Sequence, residues 1–118
     1  MPPRLPLFPL PLVLLPGSVL PLHVFESRYR TLVRELLELP EQERTFGVIA
    51  IRQGREVGED GVTALHPVGC TAHLRQVHEH DDGRFDIVTT GRQRFALRDL
   101  EHDRPYPVGT VELLHDPL

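Results

Sequence analysis

The chain has 118 residues, 40% hydrophobic and 25% charged, which describes one ordinary globular domain able to bury a core unaided. Its 13 basic and 17 acidic residues leave a net charge of −4, the wrong sign for affinity built on neutralising phosphates. Every basic residue is Arg, so a P-loop, a Schiff base or a Ser–Lys pair cannot be assembled from these residues, because guanidinium stays protonated.

The chain opens with Arg4 and an apolar stretch from Leu5 to Leu15 that has the outline of a signal peptide. Pro6, Pro9 and Pro11 argue against it, since each would cost a helix interior about 3 kcal/mol. The stretch is extended instead, with its first half a lead-in and Leu12 to Leu15 the first regular strand. Pro16-Gly17-Ser18 makes a turn, and Val19 to Val24 returns as a short strand. A helix follows from about Glu26 to Leu39. It gathers Tyr29, Leu32, Val33, Leu36 and Leu37 on one arc, opposite Glu26, Arg30, Arg34, Glu35 and Glu38. Pro40 ends it, and the apolar arc requires a sheet to lie on.

From Thr45 onward the periodicity changes. Phe46 to Arg52 is a nearly continuous apolar run, as expected of a strand buried on both faces. Gln53 to Asp60 reads as a loop, and Val62 to Pro67 and Gly69 to Val77 as strands. Asp81-Asp82-Gly83 is a hairpin turn, because Asp and Gly accept the backbone angles a tight turn demands. Arg84 to Thr90, Gln93 to Leu100 and Pro107 to Leu114 complete the set. About six short strands and one main helix, without βαβ alternation, predict a mainly β (α+β) fold: an antiparallel β pseudo-barrel with the helix at about 26–39.

Candidate chemical residues are few. Cys70 is the only cysteine, which excludes an intrachain disulfide and fits a reducing cytoplasm. It could act as a nucleophile with His66 or His73, but alternation with Ala72 and Leu74 reads as a small buried side chain. Ser18 and Ser27 sit in a turn and a first helical turn, where local backbone bonding explains them. His78 and His80 share a strand face beside Glu79, Asp81 and Asp82, a set that could hold a metal in a small hydrolase. At a hairpin tip a solvated turn is the favoured reading, so no metal, cofactor or catalytic residue is expected. His23 reads as a local hydrogen-bonding residue. Arg92, Arg94 and Arg98 alternate on one strand as an alternative ligand face, for RNA or a small anion. With no Trp and only two Tyr for base stacking, a salt-bridged surface is preferred and no nucleic acid is expected.

Several blocks, taken together, carry a resemblance. Leu5-Pro6-Leu7-Phe8-Pro9-Leu10 runs into Val13-Leu14-Leu15-Pro16-Gly17, then Leu20-Pro21-Leu22-His23-Val24-Phe25-Glu26 and Arg28-Tyr29-Arg30. Phe46-Gly47-Val48-Ile49, Val68-Gly69-Cys70-Thr71-Ala72, Asp82-Gly83-Arg84-Phe85 and Gly91-Arg92-Gln93-Arg94-Phe95 follow in order. The chain resembles the amino-terminal substrate-binding domain of Lon proteases. That resemblance implies a PUA-like pseudo-barrel over residues 1–118, which recognises polypeptide and does no chemistry itself. In the family a helical subdomain usually follows, whereas this sequence stops at Leu118, as a fragment or a minimal member would. The expected partners are unfolded or client polypeptides and protease components, met in the cytoplasm and not at a membrane. Leu7, Phe8, Leu113 and Leu114 are the candidate contacts, at strand edges where apolar segments could dock.

Overall fold

A computed structural model describes residues 3–52 and 65–115. Its elements in chain order are β1 (Arg4–Leu10), β2 (Val19–Val24), α1 (Ser27–Leu37), β3 (Thr45–Ala50), β4 (Val68–Glu79), β5 (Phe85–Glu101) and β6 (Val108–Leu113), with a 3-10 turn at Glu41–Glu43. The strands lie in the order β2-β5-β4-β3-β1-β6, and β5 pairs again with β6. That second pairing closes β1, β3, β4, β5 and β6 into a barrel, with β2 laid on the outside of β5. The fold is the mainly β pseudo-barrel that the sequence predicts.

Closure depends on the length of β5, which runs unbroken for 17 residues. Its first half pairs with β2 through Phe85–Thr90 and its second half with β6 through Phe95–Glu101. The sequence reads this stretch as two strands, separated at Gly91-Arg92. The structure joins them and absorbs the bend in bulges, with register shifts between Cys70 and Ala72, Leu74 and Gln76, and Leu97 and Asp99. At the first bulge the Thr71 hydroxyl accepts the Gln93 backbone N–H at 3.0 Å, satisfying a donor beside the register shift.

The first strand also differs from expectation. β1 comprises Arg4–Leu10, whereas Leu12 to Leu15 are outside any strand. Two prolines survive inside it because the strand changes partner midway. Pro6 stands opposite Val108 of β6, and Pro9 opposite Ile49 of β3, so each has a ladder neighbour on one side only. The β1–β3 pairing is parallel, the exception in an otherwise antiparallel sheet.

Two cores result, one on each side of the β1–β3 wall. Leu7, Ile49, Leu65, Phe95, Leu97 and Val111 fill the barrel. Phe8, Val48, Phe46, Phe85 and Ile87 face the other way and meet Tyr29, Leu32, Val33 and Leu36 of α1. Successive residues of one strand therefore enter different cores, which is why the sequence there is apolar without alternation. Phe8 stacks on Tyr29 with ring centroids 4.3 Å apart and 8° between planes. The predicted helix and its buried arc are present; the turn at Asp81-Asp82-Gly83 is too, with Gly83 at φ 89° and its N–H on the His80 carbonyl at 2.9 Å. The predicted loop from Gln53 and most of the strand from Val62 lie outside the described residues. Of that strand's described residues, Leu65 bridges Ile51. Among the described residues no helix is long and apolar enough to cross a membrane.

Candidate functional site: an apolar groove and a histidine cluster

Between β2 and the end of β1 the chain passes over the barrel as an irregular segment, and this crossing builds a groove. Leu14 reaches down into the α1 core, which leaves its neighbours Val13 and Leu15 pointing outward, 71% and 58% exposed. The segment is anchored at Gly91, whose carbonyl accepts the Gly17 N–H at 2.8 Å and whose N–H donates to the Ser18 carbonyl at 2.8 Å. The start of β4 forms the opposite wall, where Val68 is also exposed. Together with Ala50, His66, Pro67 and Arg94 these residues enclose about 250 Å³. Exposed Val13, Leu15 and Val68 flank one concavity, a concentration of apolar surface that a solvated loop does not require.

The sequence-predicted contacts fall differently. Leu7 is completely buried in the barrel and Phe8 is 6% exposed against α1, so neither offers surface to a partner. The sequence places them at a strand edge, but β1 pairs with β6 and then β3, and its two faces meet the barrel core and α1. Leu113 packs partly against the barrel core. Leu114 is half-buried, and its N–H donates to the carbonyl of Arg94 at 2.8 Å, which places it near the groove wall. Val13, Leu15 and Val68 escaped sequence reasoning because Val13 and Leu15 belong to the same apolar run as buried Leu14. Only the crossing of the barrel separates them.

Cys70 also lines the groove, but its thiol is 1% exposed and donates to the Thr71 carbonyl at 3.4 Å. His73 is buried too, and burial, reinforced by Arg92 and Arg75, holds its imidazole below the ordinary range. Both read as structural. The three arginines do not converge. Arg98 grips Glu112, with Nε at 3.1 Å, while Arg92 stands by His73 and Glu41 and Arg94 lines the groove.

A second feature lies on the outer face of β2, β5 and β4. His23 is opposite Asp86 across β2–β5, and Asp86 is opposite His78 across β5–β4, so the three form one row. His80, two residues beyond His78, turns its ring edge to His78 at 4.8 Å. Asp86 contacts His23 Nδ1 through Oδ1 and His80 Nε2 through Oδ2, each at 2.7 Å. Hydrogen bonds from His23 and then His80 hold its carboxyl below the usual range. His23 is thus bonded to a residue 63 positions away and not to its sequence neighbours.

Comparison with known proteins decides the family. The ATP-dependent protease La (LON) substrate-binding domain matches residues 4–118. This chain belongs to the Lon substrate-binding domain family. The Lon protease of Porphyromonas gingivalis is 32% identical over 107 residues, covering 91% of this chain but 12% of that protein. The protein cereblon of Danio rerio is 32% identical over 101 residues, covering 82% of this chain and 22% of its own. A solved Lon N-terminal domain protein from Xanthomonas campestris superposes with a TM-score of 0.76 at 31% identity, over 96% of this chain and 60% of that one. The N-terminal domain of the Mycobacterium avium complex Lon protease shares the fold, with a TM-score of 0.71 at 14% identity. The chain spans 12% of the first of these Lon proteases, so its family membership describes a substrate-binding part and not a whole protease.

Proposed function

We propose that this domain is a non-catalytic polypeptide-binding module, which takes exposed apolar segments of client proteins into the groove beneath Val13 and Leu15. Its setting is the cytoplasm, in keeping with a sequence that holds a single cysteine, and its partners are unfolded polypeptides and protease components. Family membership supports the ligand class. The observation that carries the site is the outward turn of Val13 and Leu15 on either side of buried Leu14, facing exposed Val68. A groove of about 250 Å³ takes one or two apolar side chains. Such contacts are individually weak, which suits a module that must release its clients.

Fluorescence anisotropy with a labelled, permanently unfolded polypeptide tests the proposal. Saturable binding that is lost in a Val13→Ser, Leu15→Ser double variant is the expected result. Unchanged binding by that variant, with its fold intact, would move the site elsewhere, and no binding at all by the parent domain would end the proposal.

A further inference from the structure

We propose that His23, His80 and Asp86 form a binding site for a divalent late-transition-metal ion of the zinc class. The inference is independent of the polypeptide groove. Two imidazoles and a carboxylate are the donor set such ions prefer, and it is not one that suits magnesium or calcium. Their ligand atoms, His23 Nδ1, His80 Nε2 and an Asp86 oxygen, all lie within 4.8 Å of one another. Two nitrogens bound to one tetrahedral zinc ion at about 2.1 Å lie roughly 3.4 Å apart, so the partly exposed rings must rotate toward each other to take the ion.

The placement is preorganised by sheet register. Directly opposed residues on antiparallel strands project to one face, and the His23–Asp86–His78 row is such a set across three strands. His80, one residue past the end of β4, brings its Nε2 to the Asp86 carboxylate at 2.7 Å. Its edge-on contact with His78 fixes the ring plane. His78 is therefore a positioning residue and not a ligand. All three ligands are open to solvent, with side-chain exposures of 44%, 32% and 52% for His23, His80 and Asp86, which leaves room for water to complete the coordination.

The site also has a mechanical consequence. β2 is the outermost strand of the sheet order, held by β5 alone, and Pro21 lies within it. An ion shared by His23 on β2, Asp86 on β5 and His80 at the end of β4 clamps that strand to the hairpin beside it.

Isothermal titration of the whole chain with zinc chloride, followed by histidine side-chain NMR, tests the site. One ion per chain is expected, with the His23 and His80 ring signals shifting together and magnesium producing neither effect. His23→Ala and His80→Ala each remove the one-to-one binding. His78→Ala weakens it by less than either ligand variant does, because the His80 ring loses its edge-on neighbour. His102→Ala, at an exposed histidine away from the row, leaves it intact. Zinc raises the melting temperature of the parent and of His102→Ala, but not of the two ligand variants. Ring signals of His23 and His80 that stay fixed under excess zinc would overturn the proposal, and this readout needs no variant to fold. Undiminished binding in both ligand variants would overturn it equally.

Discussion

The carbonyl oxygen of Leu15 crosses Gly91 so closely that a β-carbon at Gly91 would lie 2.3 Å from it. No side chain fits there, and the two hydrogen bonds at Gly91 hold Gly17 and Ser18 in place. The groove exists because this crossing is tight. Gly91→Ala should destabilise the domain by about 1–3 kcal/mol, the usual cost of forcing an extra methyl into a packed site. It should also loosen the Val13–Leu15 wall and weaken polypeptide binding. Urea denaturation and anisotropy on the same variant measure the two effects.

Phe8 and the groove residues should separate stability from binding. Phe8 stacks on Tyr29 and approaches Phe46 at 6.2 Å, so Phe8→Ala should cost about 3–5 kcal/mol. Val13→Ser with Leu15→Ser removes exposed apolar surface only and should alter stability by about 0.5 kcal/mol or less at each position. Denaturant midpoints compare the two directly. A large loss of stability in the double variant would show that Val13 and Leu15 belong to the core.

Tyr106 should give the fold an alkaline limit. It donates to Glu35 beside Arg104, whose Nη1 is 3.7 Å from the same carboxylate. Burial first, and Glu35 second, push its phenol up to about 12, with Arg104 opposing. The folded value lies above the unfolded value of about 10, so the protonated phenol stabilises fully below that pH. Its contribution is lost as pH rises through about 12. Urea melts across this range should show stability declining, and Tyr106→Phe should lack that part of the decline.

Arg98 and Glu112 form an exposed pair, so Arg98→Ala should change stability by only about 0–1 kcal/mol. A thermal melt at low and at high salt checks this. A larger effect would mean that the pair fixes the β5–β6 register.

The elements most legible in the sequence were those with a local cause. The helical spacing of Tyr29, Leu32, Val33 and Leu36, the stop at Pro40 and the Gly83 turn each need only a few neighbouring residues. β1 was misplaced because its prolines are tolerated only through a change of partner at Leu7, a tertiary fact. Gly91 reads as a break because glycine commonly marks one, whereas here it accommodates another segment's backbone in the middle of a continuous strand. The sites were less legible still. Leu7 and Phe8 look like edge residues until the barrel core and α1 are seen to cover the two faces of β1. Nothing near His23 in the sequence points to Asp86, since only the β2–β5 register joins them.

Chemical-shift mapping of the isotope-labelled domain with an unlabelled unfolded polypeptide addresses the groove most directly. Progressive shifts centred on the amides of Val13, Leu15, Val68 and Arg94, with the Asp86 face unmoved, are expected. Shifts confined to another surface, or none at saturating polypeptide, would contradict recognition through this groove.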